Sequence, residues 1–292
     1  MSPTAEIPLI LGGHTFISQL GSDPAASEHQ QGLIVQSCLD SGIRWFDTTY
    51  QPERLALGRV LDSLGRRAEA SIIAWNFFTD FSPREPVGEP VPYCPVHIDQ
   101  ILEQLRTSYV DCLVLAPSDD GEQNRQQEQL LLGWQKRGYV RSLGLWITDL
   151  AVIEHFPNKQ SFRFAIRPYN IATDDAASIF AACKRIGWET LATSPFFRGW
   201  ELDRIAAEAV AQSLGPDATV RPMLADLMLR FTLFQPDVDR VIVAIRKTEW
   251  IGRNLESVAR GPLTIEERQL LQRLRTQAAG RNRWWRRLLR RL

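Results

Sequence analysis

The sequence predicts a single α/β domain, a (β/α)8 TIM barrel with a C-terminal helical extension, and three observations carry that expectation. Short apolar runs rich in β-branched and aromatic residues alternate with stretches of helical period along the whole chain. At 292 residues and 44% hydrophobic content the chain can fill one large core, as barrels of this size do. No Gly-rich G-x-G-x-x-G follows any of the apolar runs, and Leu11–Gly13 is too short to serve as one, which weighs against an open doubly wound sheet.

The eight runs are placed near 8–12, 43–47, 71–75, 111–115, 142–146, 163–167, 189–193 and 240–245. They read as parallel strands because strands covered on both faces stay apolar without alternation. Between them, 27–41 places Leu33, Ile34, Cys38 and Leu39 on one helical face, and 97–107 repeats Ile98, Ile101, Leu102 and Leu105. Helix 174–186 opens with Asp174 and Asp175, whose charge suits a helix start, and carries Ile179, Phe180 and Cys183. Residues 78–95 form a Pro-rich connection of unusual length, a candidate lid or substrate loop. The barrel domain is assigned to 1–279. Residues 280–292 hold six arginines among Trp284, Trp285, Leu288, Leu289 and Leu292, a basic amphipathic tail. Such a tail suits a membrane-surface or protein contact; packing of its aromatic rings on the barrel is the alternative.

Charge and composition exclude several classes. Acidic and basic residues balance at 34 each, so no global field points to nucleic acid. The N-terminus lacks the basic and apolar regions of a signal peptide, and no window of about 20 apolar residues exists, so a cytoplasmic location is expected. Cys38, Cys94, Cys112 and Cys183 show no metal-ligand spacing and are expected to be buried free thiols. No metal is expected.

Several strings, in chain order, resemble the aldo-keto reductase family over roughly residues 8–260. Gly42–Tyr50 (GIRWFDTTY) resembles the second strand with its Asp-Thr-Ala box, and Gly138–Trp146 the fifth. Arg167–Asn170 and Thr193–Gly199 resemble the ends of the sixth and seventh strands, and Val241–Val258 the cofactor-phosphate segment. The resemblance implies hydride transfer from NADPH to a carbonyl at the barrel mouth. There a tyrosine gives the proton, a lysine and an aspartate tune it, and a histidine orients the substrate oxygen. A phenol of pKa about 10 is a feeble acid near neutrality, so a neighbouring cation is needed to sharpen it.

Carried over residue by residue, the pattern is partly kept. Asp47 matches the aspartate. Tyr50 is the candidate tyrosine, although it follows the aspartate by a shorter gap than is usual. Trp75 and Asn76 stand where the lysine is expected, and Ala116 where the histidine is. Trp146, Ile147 and Ile166 replace the Ser-Asn pair and the glutamine that bind the nicotinamide carboxamide, and apolar side chains cannot supply those hydrogen bonds. Arg246 and Lys247 stand at the 2′-phosphate position and Asn254 at the adenine position, with Ser194 and Arg198 after the seventh strand. Guanidinium and ammonium suit a phosphate, though the same charges also suit a solvated helix start.

His14, at the end of the first strand, faces the expected pocket as an acid or base for near-neutral pH; a histidine satisfied by local hydrogen bonds is the alternative. Trp75, Asn76, Trp146 and Arg167 are assigned to the substrate pocket, where the tryptophans either line an aromatic cavity or plug it. Arg167 and Arg198 suit an anionic ligand group or a surface carboxylate equally. The expected function is a divergent NADP(H)-dependent oxidoreductase acting on a carbonyl compound, with Asp47, Tyr50 and His14 as its catalytic set and a small molecule as its partner. A lyase or isomerase on the same barrel, or a non-catalytic binding protein, is the alternative.

Overall fold

A computed structural model describes residues 6–18, 25–78, 88–173 and 175–289, with Arg198 and 280–289 described in backbone only. Eight strands run parallel: β1 (Leu9–Leu11), β2 (Trp45–Thr48), β3 (Ser71–Trp75), β4 (Val110–Leu115), β5 (Val140–Trp146), β6 (Phe164–Pro168), β7 (Glu189–Thr193) and β8 (Arg240–Val243). Each pairs with its sequence neighbours, and β1 pairs with β8 through Ile10 and Ile242, so the sheet closes. Closure settles the choice between barrel and open sheet. The eighth strand ends earlier than expected, because the N–H of Ile245 turns to Thr15 Oγ1 instead of continuing the ladder.

Helices follow the strands on the outside: α1 (Glu28–Asp40), α2 (Gln51–Leu64), α3 (His97–Gln104), α4 (Gly121–Lys136), α5 (Ala176–Ile186), α6 (Trp200–Ala211), α7 (Asp217–Leu233), α8 (Glu249–Arg260) and α9 (Ile265–Leu289). Ser27 and Gln30 form a reciprocal capping box that starts α1, as two orphan N–H groups at a helix start require. Gly58 lets α2 pass close to the chain after α3; a Cβ there would lie 2.5 Å from Gln104 O. The barrel's interior holds Ile10, Ile73, Trp75, Cys112, Val114, Phe164, Ile166 and Leu191, while the alternate strand residues meet the helices. Each large apolar side chain removed from water there stabilises the fold by roughly 1.5–3 kcal/mol.

Helix 174–186 starts at Ala176, and Asp174 lies outside the described residues. Residues 79–87 of the Pro-rich connection also lie outside them; residues 88–95 run past the tips of β3 and β4, where the Val91 N–H donates to Asn76 O at 2.8 Å. The expected border at 279/280 falls inside α9, and the tail's side chains lie outside the described residues. Three cysteines are buried as expected, but Cys94 is exposed: it lies in the loop before α3, where its N–H is taken by His97 Nδ1. No helix among the described residues is long and apolar enough to cross a membrane.

Candidate active site

The C-terminal strand ends surround a cleft of about 1400 Å³, the face where barrel loops assemble sites. One end is built on the first three strands. Alternation along β2 turns Trp45 and Asp47 inward, and the Asp47 carboxyl reaches the cleft while only 6% exposed. Its Oδ1 accepts a hydrogen bond from Trp75 Nε1 at 2.6 Å. Burial, and then the nearby Glu53 carboxylate, push Asp47 up to about 7; the Trp75 bond, His14 and the Gly13 backbone N–H oppose the rise without cancelling it.

Glu53, in the first turn of α2, is fully buried. Its Oε2 accepts from the N–H groups of Thr49 (2.5 Å) and Tyr50 (3.2 Å), and its Oε1 lies 2.8 Å from His14 Nδ1. This carboxylate presses on the chain after β1: a Cβ on Gly13 would stand 2.2 Å from Glu53 Oε2, so only glycine fits. His14 is carried by the short turn Gly13–Thr15, with its side chain 28% exposed, and stacks on Tyr50 with ring centres 6.0 Å apart. The Tyr50 ring lines the cleft, but its hydroxyl is buried. Phe77 meets Tyr50 edge to face at 5.5 Å, and Trp75 meets Trp146 in the same way at 5.5 Å. An aromatic wall thus runs from the first strand to the fifth.

A buried guanidinium stands behind this wall. Arg54 donates to Gln104 Oε1 (2.6 Å), Thr49 O (2.8 Å) and Phe77 O (3.3 Å), bracing the loop after β2 against the loop after β3. Burial lowers it to about 10. No lysine lines this end of the cleft.

A second part of the cleft lies after β7 and β8, next to β1 in the closed sheet. Ser194, Arg246, Lys247 and Asn254 all line the cleft, joined by Trp250 and Arg253. Arg246 also ties the first loop down, donating to His14 O at 3.2 Å and Ile17 O at 3.4 Å. Lys247 Nζ lies 5.3 Å from the Trp250 ring centre. Cations gathered near the start of α8 suit a phosphate, since helix N–H groups and ammonium favour the same charge. At the ends of β5 and β6, Ile147 and Ile166 are fully buried hydrocarbon, and the nearby polar residues that line the cleft include Thr148 and Thr193. The charged end suits NADP well; the ring end offers few hydrogen bonds.

Two assigned pocket residues do not reach the cleft. Asn76 follows Trp75 on the strand and therefore points the other way; it is clamped between Val91 O (3.0 Å) and the backbone of Ala116. Arg167 likewise turns outward from β6, pairing with Asp175 and donating to the carbonyls of Ile147 and Thr148. The side chain of Arg198 lies outside the described residues. Glu53 and Phe77 were not anticipated. A glutamate three residues past Tyr50, at a helix's first turn, is the signal that could have found Glu53. Among the described residues no three His, Cys, Asp or Glu side chains group as a metal site.

The sequence profile of the aldo/keto reductase family matches residues 8–276. No curated protein matches this chain. Similar solved structures include an aldo-keto reductase from Bacillus halodurans in its holo form, at TM-score 0.70 and 19% identity over 91% of each chain. An aldo-keto reductase from Klebsiella pneumoniae in complex with NADP and acetate follows at TM-score 0.67 and 18% identity, over 91% of this chain and 90% of that one. At such identity the structural likeness speaks to fold. The profile match covers most of the chain, and the chain belongs to the aldo/keto reductase family.

Proposed function

We propose that this member of the aldo/keto reductase family is an NADP(H)-dependent oxidoreductase acting on a carbonyl compound through an atypical proton-donor site. One observation carries the reading: a single cleft joins the titratable side chains His14, Asp47 and Tyr50 to a cationic part formed by Arg246, Lys247 and Arg253. The Klebsiella pneumoniae relative was solved with NADP and with NADPH, which supports the same cofactor here.

When bound, NADPH would supply hydride to the carbonyl carbon. Lys247 and Arg246 would hold its 2′-phosphate, Asn254 its adenine, and Ser194 and Arg198 the stretch between. Trp75 and Trp146 would wall the reacting end and keep water out, which strengthens every charge interaction inside. The edge-to-face contact of those two rings also favours a second reading, a non-reductase barrel enzyme or binding protein whose mouth is closed to nicotinamide.

Titrating NADPH while following nicotinamide fluorescence separates the two. The oxidoreductase reading expects saturable enhancement, with Lys247→Ala weakening affinity about tenfold through one lost charge-assisted hydrogen bond. No change at saturating NADPH would reject it.

A further inference from the structure

We infer that the proton given to the substrate oxygen is held by Asp47, with Glu53 as its positioning residue, and not by the phenol of Tyr50. The inference rests on the oxidoreductase reading and names the donor within that site.

Four contacts support it. The Tyr50 hydroxyl is buried, although the residue lines the cleft. Asp47 meets the cleft with its carboxyl while Trp75 Nε1 pins one oxygen. The cleft has no lysine at this end to acidify a phenol. Glu53 is locked behind by three polar contacts and by the bare Cα of Gly13, so its charge cannot swing away.

The groups facing Asp47 are few. From the first loop come His14 and the Gly13 N–H, from α2 Glu53, from β3 the neutral indole of Trp75, and from β4 the Cys112 thiol, itself pushed up by burial. Among the described residues no arginine or lysine contributes, so two carboxyl groups share one buried region. Like charges that close cannot both ionise readily, and one proton is retained. Its holder is the carboxyl that burial and Glu53 raise to about 7.

The step balances simply. Hydride from the reduced nicotinamide adds to the carbonyl carbon, and the C–O π pair moves to oxygen. That oxygen takes the proton from the Asp47 carboxyl, giving an alcohol, oxidised nicotinamide and an Asp47 carboxylate. A proton from water that enters the cleft once the alcohol leaves then restores the Asp47 carboxyl.

Two measurements test the inference. Infrared titration of the protein without cofactor should show a carboxylic-acid carbonyl band disappearing with a midpoint near 7, absent in Asp47→Asn. In the pH profile of kcat for reduction, rate should be high below about 7 and fall tenfold per unit above it, because the protonated form is the donor. Glu53→Gln should move both midpoints down by about one unit, since a like charge is removed, while Glu53→Asp should keep them near 7. Asp47→Asn should lose 10²–10⁴-fold in rate. A missing band, midpoints unmoved in Glu53→Gln, or a pH break that vanishes in Tyr50→Phe would overturn it. Failure of NADPH to bind would remove the oxidoreductase reading alone, because the infrared titration needs no cofactor.

Discussion

Two aspartates on this barrel are buried to the same degree and differ in everything else. Asp47 sits at the C-terminal end of β2 and is 6% exposed; Asp111 sits near the start of β4 and is 5% exposed. Asp111 is held by Arg67 Nη2 at 3.2 Å, Arg141 Nη1 at 2.8 Å and the Ile72 N–H at 2.9 Å. Both guanidiniums also lie over the Tyr109 ring, at 4.3 and 3.9 Å. Asp47 has one indole N–H and a backbone N–H, and the largest charge effect on it comes from another carboxylate, Glu53. Burial alone therefore does not mark a functional acid. The distribution of cations does: one face of the barrel stitches its carboxylate into the structure, and the other leaves its carboxylate able to hold a proton.

Three changes break or sharpen this contrast. Asp111→Asn should destabilise the protein most, by about 3 kcal/mol at pH 7, because the largely buried Arg67 loses its charge partner while the exposed Arg141 stays solvated. A denaturant midpoint close to wild type would show that Asp111 is no structural clamp. Asp47→Asn should do the opposite above neutrality. Its folded-state value, about 7, lies above that of an unfolded aspartate, so the folded protein binds more protons between roughly pH 4 and 7 and loses stability as pH rises through that window. Removing the titration should stabilise the protein by about 2 kcal/mol at pH 8 and leave it near wild type at pH 4, as read by thermal melts. Equal melting shifts at both pH values would erase the distinction. Trp75→Phe should cost least, about 1 kcal/mol for one hydrogen bond, and should raise the Asp47 midpoint because a bond that favours the carboxylate is lost. An infrared titration with an unchanged midpoint would show that the indole only fills space.

Much of the architecture was legible because strands of a closed parallel barrel are covered on both faces. Runs such as residues 72–75 and 112–115 therefore stay apolar and stand out against helical segments. Asp47, Tyr50 and His14 were placed by the family resemblance together with the strand order, and they line one cleft with Lys247 and Asn254. Side-chain direction was harder to read. Asn76 is one residue from Trp75 and faces the opposite way, and Arg167 follows Ile166 in the same manner, so a shift of one position decides whether a residue meets the cleft. Cys94 shows the same difficulty in a loop, where no period tells burial from exposure.

The chain's pattern of apolar runs determined the number and order of its strands, since hydrophobic periodicity is a local property that every segment carries by itself. The pairing of Asp47 with Glu53 and His14 was decided only by tertiary structure. Those groups come from a strand, a helix and a turn, and the field at Asp47 is the sum of charges that folding brings together across 39 residues of chain.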